Sequence, residues 1–312
     1  MSLDPHSRRI AEALRKTTDA AAAPFDLAAA RANYTVLFNQ WAGAPITPVS
    51  AQALTLAGPG GPLAATLFAP TAQAAPATLV LFLHGGGWSL GSTEGYERTL
   101  RQIAGRSGCA ILSLDYRLAP ESPFPAALDD AGAAWAAIVD GRCGRFTRRV
   151  VMGDSCGGQV AAALCLKLRD EGHPLPAAQI LLYPLLDAVI GDDHPSRHRY
   201  GDGGHFLTEQ DIAWAIGNYL PDPAARPTAY ASPLRAPDLS GLPPALLITA
   251  GCDPLHDEAA AYARRLAAAG STVDHADFAG TIHGFVSFAG EIPAGRQALD
   301  RVITTLAAPA TP

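Results

Sequence analysis

A serine, a histidine and a carboxylate can together open a carboxylic acyl bond, provided that the histidine takes the serine's proton and the carboxylate fixes the histidine's tautomer. This chain offers such a set in Ser155, Asp253 and His283. Ser155 falls in the run Val150-Val151-Met152-Gly153-Asp154-Ser155-Cys156-Gly157-Gly158, where an apolar segment stops at a glycine-flanked serine and an alanine-rich segment begins. That pattern reads as a strand, a sharp turn and a helix, with small neighbours permitting a strained backbone that projects the hydroxyl above the sheet. With 30 glycines in the chain, the match is weak by itself. It gains weight from company. Asp253 follows an apolar run, in Ala250-Gly251-Cys252-Asp253-Pro254-Leu255, and His283 lies in the loop after the next run, in His283-Gly284-Phe285. The order nucleophile, acid, base is the one that a serine turn of this kind calls for. In His84-Gly85-Gly86-Gly87-Trp88, again at the end of an apolar run, three successive glycines let backbone N–H groups approach a substrate oxygen closely, as an oxyanion hole requires.

Each role has rivals. Asp187 also follows an apolar run, and Asp257 and Glu258 stand near Asp253 but fall inside the helix that it precedes. Among nine histidines, His256 and His275 lie on predicted elements, and His194, His198 and His205 lie in a polar interval that suits solvated or structural roles. His84 is read as a support for the glycine loop. Asp192, Asp193, His194, His198, Asp202 and His205 crowd together, but their irregular spacing matches no familiar metal site, and neither metal nor cofactor is expected. Trp88, Phe206 and Trp214 are candidate apolar walls of a substrate pocket, with packing inside the protein as the equal alternative.

The frame for these side chains follows from periodicity. Short apolar runs at 79–83, 110–114, 150–152, 180–183, 246–249 and 273–278 alternate with helical segments such as 126–139, 159–169 and 257–269. Most of the runs are near-continuous, as in strands covered by helices on both faces, so the predicted fold class is α/β, with a mostly parallel, doubly wound sheet. Ligands of such sheets sit beyond the carboxyl ends of the strands, where all four motifs fall. Runs at 53–56 and 63–68, joined by Gly-Pro-Gly-Gly-Pro, predict an antiparallel hairpin at a sheet edge. Two intervals break the rhythm. Helices predicted around 7–15 and 27–41 carry Ile10 with Leu14, and Tyr34 with Leu37 and Phe38, on faces that must bury against something else. From Asp187 to about Asp238 the chain is rich in Asp, His, Pro and Gly and holds one predicted helix, 208–220, with Thr208 as its cap. The expected division is N-terminal cap helices at 1–47, a catalytic core at 48–186 and 239–312, and a cap insertion at 187–238.

Composition excludes other classes. An apolar fraction of 48% over 312 residues fills a large core, and a net charge of −6 without a dense Lys/Arg run argues against a nucleic-acid surface. The locally basic stretch 142–149 reads as a solvated loop. The first 16 residues are polar, no run reaches membrane-spanning length, and five cysteines without metal-type spacing fit reduced thiols, so a soluble cytoplasmic protein is expected. Its expected partner is a small-molecule substrate, and a homodimer is left open.

The motifs His84-Gly85-Gly86-Gly87-Trp88, Asp115-Tyr116-Arg117-Leu118-Ala119-Pro120-Glu121, Gly153-Asp154-Ser155-Cys156-Gly157-Gly158, Asp253-Pro254-Leu255 and His283-Gly284-Phe285 together resemble the hormone-sensitive-lipase-like carboxylesterases, bacterial family IV, along nearly the whole chain. The resemblance implies an α/β-hydrolase fold of about eight strands under a helical cap, and hydrolysis of short- to medium-chain acyl esters. By position it makes Ser155 the nucleophile, His283 the general base and acid, and Asp253 its orienter. It assigns the oxyanion hole to N–H groups of Gly85, Gly86, Gly87 and Cys156. The stretch from Tyr116 to Pro125 is read as mainly structural. Two positions depart from the family's pattern: Cys156 stands where alanine is usual, and Ser122 where histidine is common. Because the group needed at Cys156 is its backbone N–H, an alanine there is expected to leave the rate near normal. Amidases and acyltransferases share this scaffold and stay open as alternatives. A non-catalytic receptor would lack a triad member, and none is missing.

Overall fold

Eight strands form one sheet in the computed structural model, which describes residues 2–19, 26–46, 48–71, 76–191 and 193–308. They are β1 (Val49–Gly58), β2 (Gly61–Pro70), β3 (Thr78–Leu83), β4 (Ala110–Leu114), β5 (Arg148–Asp154), β6 (Gln179–Leu182), β7 (Ala245–Ala250) and β8 (Val273–Phe278). Their spatial order is β1-β2-β4-β3-β5-β6-β7-β8. β2 runs antiparallel to β1 and β4, and every other neighbouring pair is parallel. The predicted hairpin is therefore present at the sheet edge. It is longer than its apolar runs, because pairing that starts at Gly58 opposite Gly61 continues without a break to Val49 opposite Pro70.

The alternation of side chains along buried strands divides the interior in two. Leu79, Leu81 and Leu83 point to one face with Val151, Leu181 and Leu247, beneath α4 (Ala126–Val139), α5 (Cys156–Asp170) and α8 (His256–Ala268). Val80 and Phe82 point to the other face with Met152, Ile180 and Ile248, beneath α3 (Thr93–Ser107) and α9 (Pro293–Ala307). Because each of the central strands serves two cores, its buried stretch carries no polar face. Arg148, expected in a solvated loop, instead donates to the carbonyls of Thr305, Leu306 and Ala308 at the end of α9, where a cation meets unsatisfied acceptors.

Two helices precede the sheet. In α1 (Pro5–Asp19) the Asp4 carboxylate accepts from the N–H groups of His6 and Ser7, and the Asp4 N–H donates to the Gly280 carbonyl at 2.9 Å, in the loop that leads to His283. In α2 (Leu27–Gln40), capped by Asp26, Arg31 holds Glu121 with two 2.8 Å hydrogen bonds. Ile10, Leu14 and Phe38 are buried, as their spacing predicts. Among the described residues the interval 187–238 holds two α-helices where one helix was expected, α6 (Pro195–Tyr200) and α7 (Glu209–Tyr219), and two short 3-10 turns at Pro223–Ala225 and Pro233–Arg235. α6 has six residues, too few for a hydrophobic period to register. α7 starts at Thr208, whose hydroxyl accepts the Asp211 N–H while the Asp211 carboxylate accepts the Thr208 N–H, a reciprocal cap. Among the described residues no helix is long and apolar enough to cross a membrane, and all five cysteines are buried and outside any disulfide.

Candidate active site

Ser155 sits between β5 and α5 at φ +53°, a left-handed conformation that a residue with a Cβ adopts only when its surroundings impose it. The glycines around it make that turn possible by close approach. A Cβ on Gly153 would lie 2.2 Å from the Gly157 carbonyl oxygen, and one on Gly157 would lie 2.1 Å from that of Leu83. The Ser155 N–H donates to the Leu182 carbonyl, and its own carbonyl accepts from Leu185 and Gln159, so the strained backbone is tied on both sides.

The structure brings the three predicted side chains together. With its proton on Nδ1, the buried His283 donates to Asp253 Oδ2 at 2.7 Å, and its Nε2 lies 2.9 Å from Ser155 Oγ, which donates to it. Asp253 is buried just beyond β7, and its other oxygen accepts the Leu255 N–H. Tyr183, at φ +36°, sets its ring edge-on to His283 with centroids 4.8 Å apart. The rivals are engaged elsewhere. Asp187 pairs with His194 and Arg235, which hold its carboxyl below the usual range despite burial, and Glu258 is buried against Arg197. His198 pairs with Glu209, His205 with Asp202, and Asp193 with Arg235, while Asp192 lies outside the described residues. Among the described residues no group of His, Cys, Asp or Glu could hold a metal ion.

Gly86, Gly87 and Cys156 line a cavity of about 730 Å³ that also contains Ser155 and His283. Cys156 opens α5, so the helix cannot satisfy its N–H. Gly85 departs from expectation. Its N–H donates to Asp154 Oδ1 at 2.7 Å, a stronger acceptor than any neutral carbonyl, and is thereby turned away from the cavity. Trp88 is a second correction. It is fully buried, stacks on Tyr219 of α7 at 4.5 Å and donates through Nε1 to Gln159, so it packs the loop and is no pocket wall. Phe206 and Trp214 do line the cavity, with Leu14, Tyr34, Leu37 and Leu185. His84, expected to support the glycine loop, stacks on Tyr116, and its Nδ1 lies 2.8 Å from the Gly85 carbonyl.

Asp154 was missed as a site residue, although a carboxylate inside a buried strand is a legible signal. It accepts from Gly85 and, at 2.9 Å, from Tyr96, whose hydroxyl lies 3.2 Å from that of Tyr34 in the cavity wall. Burial raises its carboxyl to about 6, against the opposing pull of the Tyr96 and Gly85 donors. A carboxyl whose folded value is raised stabilises the fold most below its unfolded pKa, and that contribution is lost as pH rises through the folded value. Between about pH 4 and 7 the protein should therefore lose about 3 kcal/mol relative to Asp154→Asn. Denaturant unfolding of both across that range checks this, and a pH-independent difference would contradict it.

A Ser–His–Asp relay at the carboxyl edge of an eight-stranded, mostly parallel sheet defines an α/β hydrolase. A family model described as alpha/beta hydrolase fold matches residues 80–287, and the chain belongs to that family, in its hormone-sensitive-lipase-like branch. The chain is 39% identical to carboxylic ester hydrolase LipN of Mycobacterium tuberculosis over 278 residues, which cover 86% of this chain and 73% of LipN. It is 36% identical to an ethyl acetate hydrolase of Pseudomonas putida over 231 residues, 73% of this chain and 72% of that protein. Among solved structures, a hyperthermophilic esterase from Pyrobaculum calidifontis superposes with a TM-score of 0.87 at 35% identity, covering 98% of each chain.

Proposed function

We propose that the chain hydrolyses esters of short- to medium-chain carboxylic acids through an acyl-enzyme on Ser155. It is a carboxylic ester hydrolase, as its named relatives are. What carries the specific reading is the relay of 2.9 and 2.7 Å from Ser155 through His283 to Asp253, opening on a cavity lined by candidate oxyanion donors. As Ser155 Oγ bonds to the ester carbon, its proton passes to His283 Nε2, and Asp253 stabilises the imidazolium. The carbonyl oxygen, now an anion, is held by the N–H groups of Gly86, Gly87 and Cys156, each worth about 3 kcal/mol in the transition state. Collapse breaks the bond to the alcohol oxygen, which takes the proton from His283. Water then repeats the sequence: His283 removes its proton, the acid leaves, and Ser155 is restored.

Substrate choice falls to the walls, and here we assign α1 and α2 to an amino-terminal cap and 187–238 to its second half. Their apolar side chains, Leu14, Leu37, Phe206 and Trp214, suit an acyl or alkoxy chain of modest length. Buried cysteines outside any disulfide favour a reducing compartment, in keeping with a cytoplasmic enzyme. Fluorophosphonate labelling followed by peptide mapping should find the adduct on Ser155, and an adduct only elsewhere would end the proposal. Across a p-nitrophenyl ester series, butyrate should be hydrolysed faster than palmitate. The reverse order would make the enzyme a lipase.

A further inference from the structure

The residue after the nucleophile is one of the two positions at which the sequence departs from the pattern it resembles, and its side chain is not idle. Cys156 Sγ accepts the Trp88 N–H at 3.1 Å. The sulfur also lies 3.9 Å from Tyr116 Oη and 4.0 Å from the His84 carbonyl. The segment it holds is unusual. Gly86, Gly87 and Trp88 all have positive φ, at +116°, +60° and +55°, and the last is a tryptophan. Three further contacts keep Trp88 in that conformation: its stack on Tyr219, its bond to Gln159 and the 2.8 Å bond from Ala119 N–H to its carbonyl. None of these engages the Trp88 N–H, which is left to the sulfur. The thiol is buried and pushed up to about 12, so it is a neutral acceptor here rather than a nucleophile.

We propose that Cys156 is a positioning residue for the oxyanion hole, whose sulfur clasps the Trp88 N–H and so fixes the Gly86–Gly87 amides relative to the backbone N–H of Cys156 itself. The proposal rests on the esterase reading above. One residue thereby joins the two halves of the hole, the glycine loop after β3 and the start of α5. Alanine at this position keeps the backbone N–H but leaves the Trp88 N–H buried without an acceptor. The loop then gains by turning that peptide toward another acceptor, and the adjoining glycine amides turn with it. The consequence falls on the transition state, where the oxyanion forms, more than on substrate binding. This revises the near-normal rate expected for Cys156→Ala from the sequence.

The test compares wild type, Cys156→Ala and Cys156→Ser on p-nitrophenyl butyrate, with rates normalised to serine sites titrated by a fluorophosphonate so that misfolded protein drops out. Cys156→Ala should lower kcat about tenfold, less than the roughly 100- to 1,000-fold loss of an outright donor deletion, with KM changed less than about twofold. Affinity for an alkylboronic acid, which forms a tetrahedral adduct on the serine, should fall by a similar factor. Cys156→Ser, which restores an acceptor, should recover most of both. An alanine variant at the wild-type kcat, a serine variant no better than alanine, or a kcat loss without a matching loss of boronate affinity would each overturn the proposal. Failure of the esterase reading looks different: Ser155→Ala would then keep its activity and no serine site would titrate.

Discussion

Ser155→Ala should lower kcat on a short p-nitrophenyl ester by roughly a millionfold, the scale seen when a triad nucleophile is deleted. Its Oγ receives the relay through His283 and stands beside Gly86, Gly87 and Cys156, so no other hydroxyl takes its place in the arrangement. The remaining activity, above that of water, would come from the oxyanion donors and the cavity, which alanine leaves intact. Stability should change by less than about 1 kcal/mol, because one partly exposed hydrogen bond is lost. Since the three side chains act as one unit, His283→Ala added to Ser155→Ala should lower the rate little further. Steady-state rates with urea unfolding of each variant provide the check, and substantial turnover by folded Ser155→Ala would remove the mechanism.

The second large effect concerns stability. Arg197→Met should destabilise the fold by roughly 3–5 kcal/mol, because it strands a buried carboxylate. Arg197 Nη2 donates to Glu258 Oε2 at 2.6 Å and to the Asp187 carbonyl, and Nη1 donates to the Val189 carbonyl at 2.9 Å. Glu258 Oε1 meanwhile accepts the N–H groups of Leu186 and Asp187. The pair thus joins α6, α8 and the segment after β6, and burial raises the Glu258 carboxyl even with its partner present. Changing Glu258 to Gln in the Arg197→Met background should restore most of the loss, since an amide oxygen still accepts those N–H groups without a charge. Urea denaturation of the two variants decides it. Equal stability of Arg197→Met and wild type would mean that water reaches Glu258.

The legibility of the chain varied with the origin of the signal. Ser155, Asp253 and His283 were readable because each ends a strand in a local pattern, and topology then carries all three strand ends to one edge. Five of the six strands after the hairpin were readable because each is buried on both faces, and the edge strand β8, which is half-exposed, was readable from its apolar ends Val273 and Phe278. What escaped notice was decided in three dimensions. Gly85 looked equivalent to its neighbours until Asp154, 69 residues later, claimed its N–H. Trp88 looked like a pocket wall because nothing local reveals that Tyr219 and Gln159 enclose it. α6 owes its place to the buried contacts of Arg197 and Ser196 rather than to any period of its own.

The helices α1 and α2 supply Ala11, Leu14, Tyr34, Leu37 and Phe38 to the cavity, whereas the relay hangs on the sheet. One wall of the cavity and the relay therefore come from separate stretches of the chain, and changes in α1 and α2 are expected to alter what fits while sparing what reacts. The two stretches meet at several seams. Among them are the Asp4 N–H on the Gly280 carbonyl, the Arg31 guanidinium on Glu121 and the hydroxyl contact between Tyr34 and Tyr96. A designer grafting a different amino-terminal segment onto this scaffold should keep those seams and vary the rest.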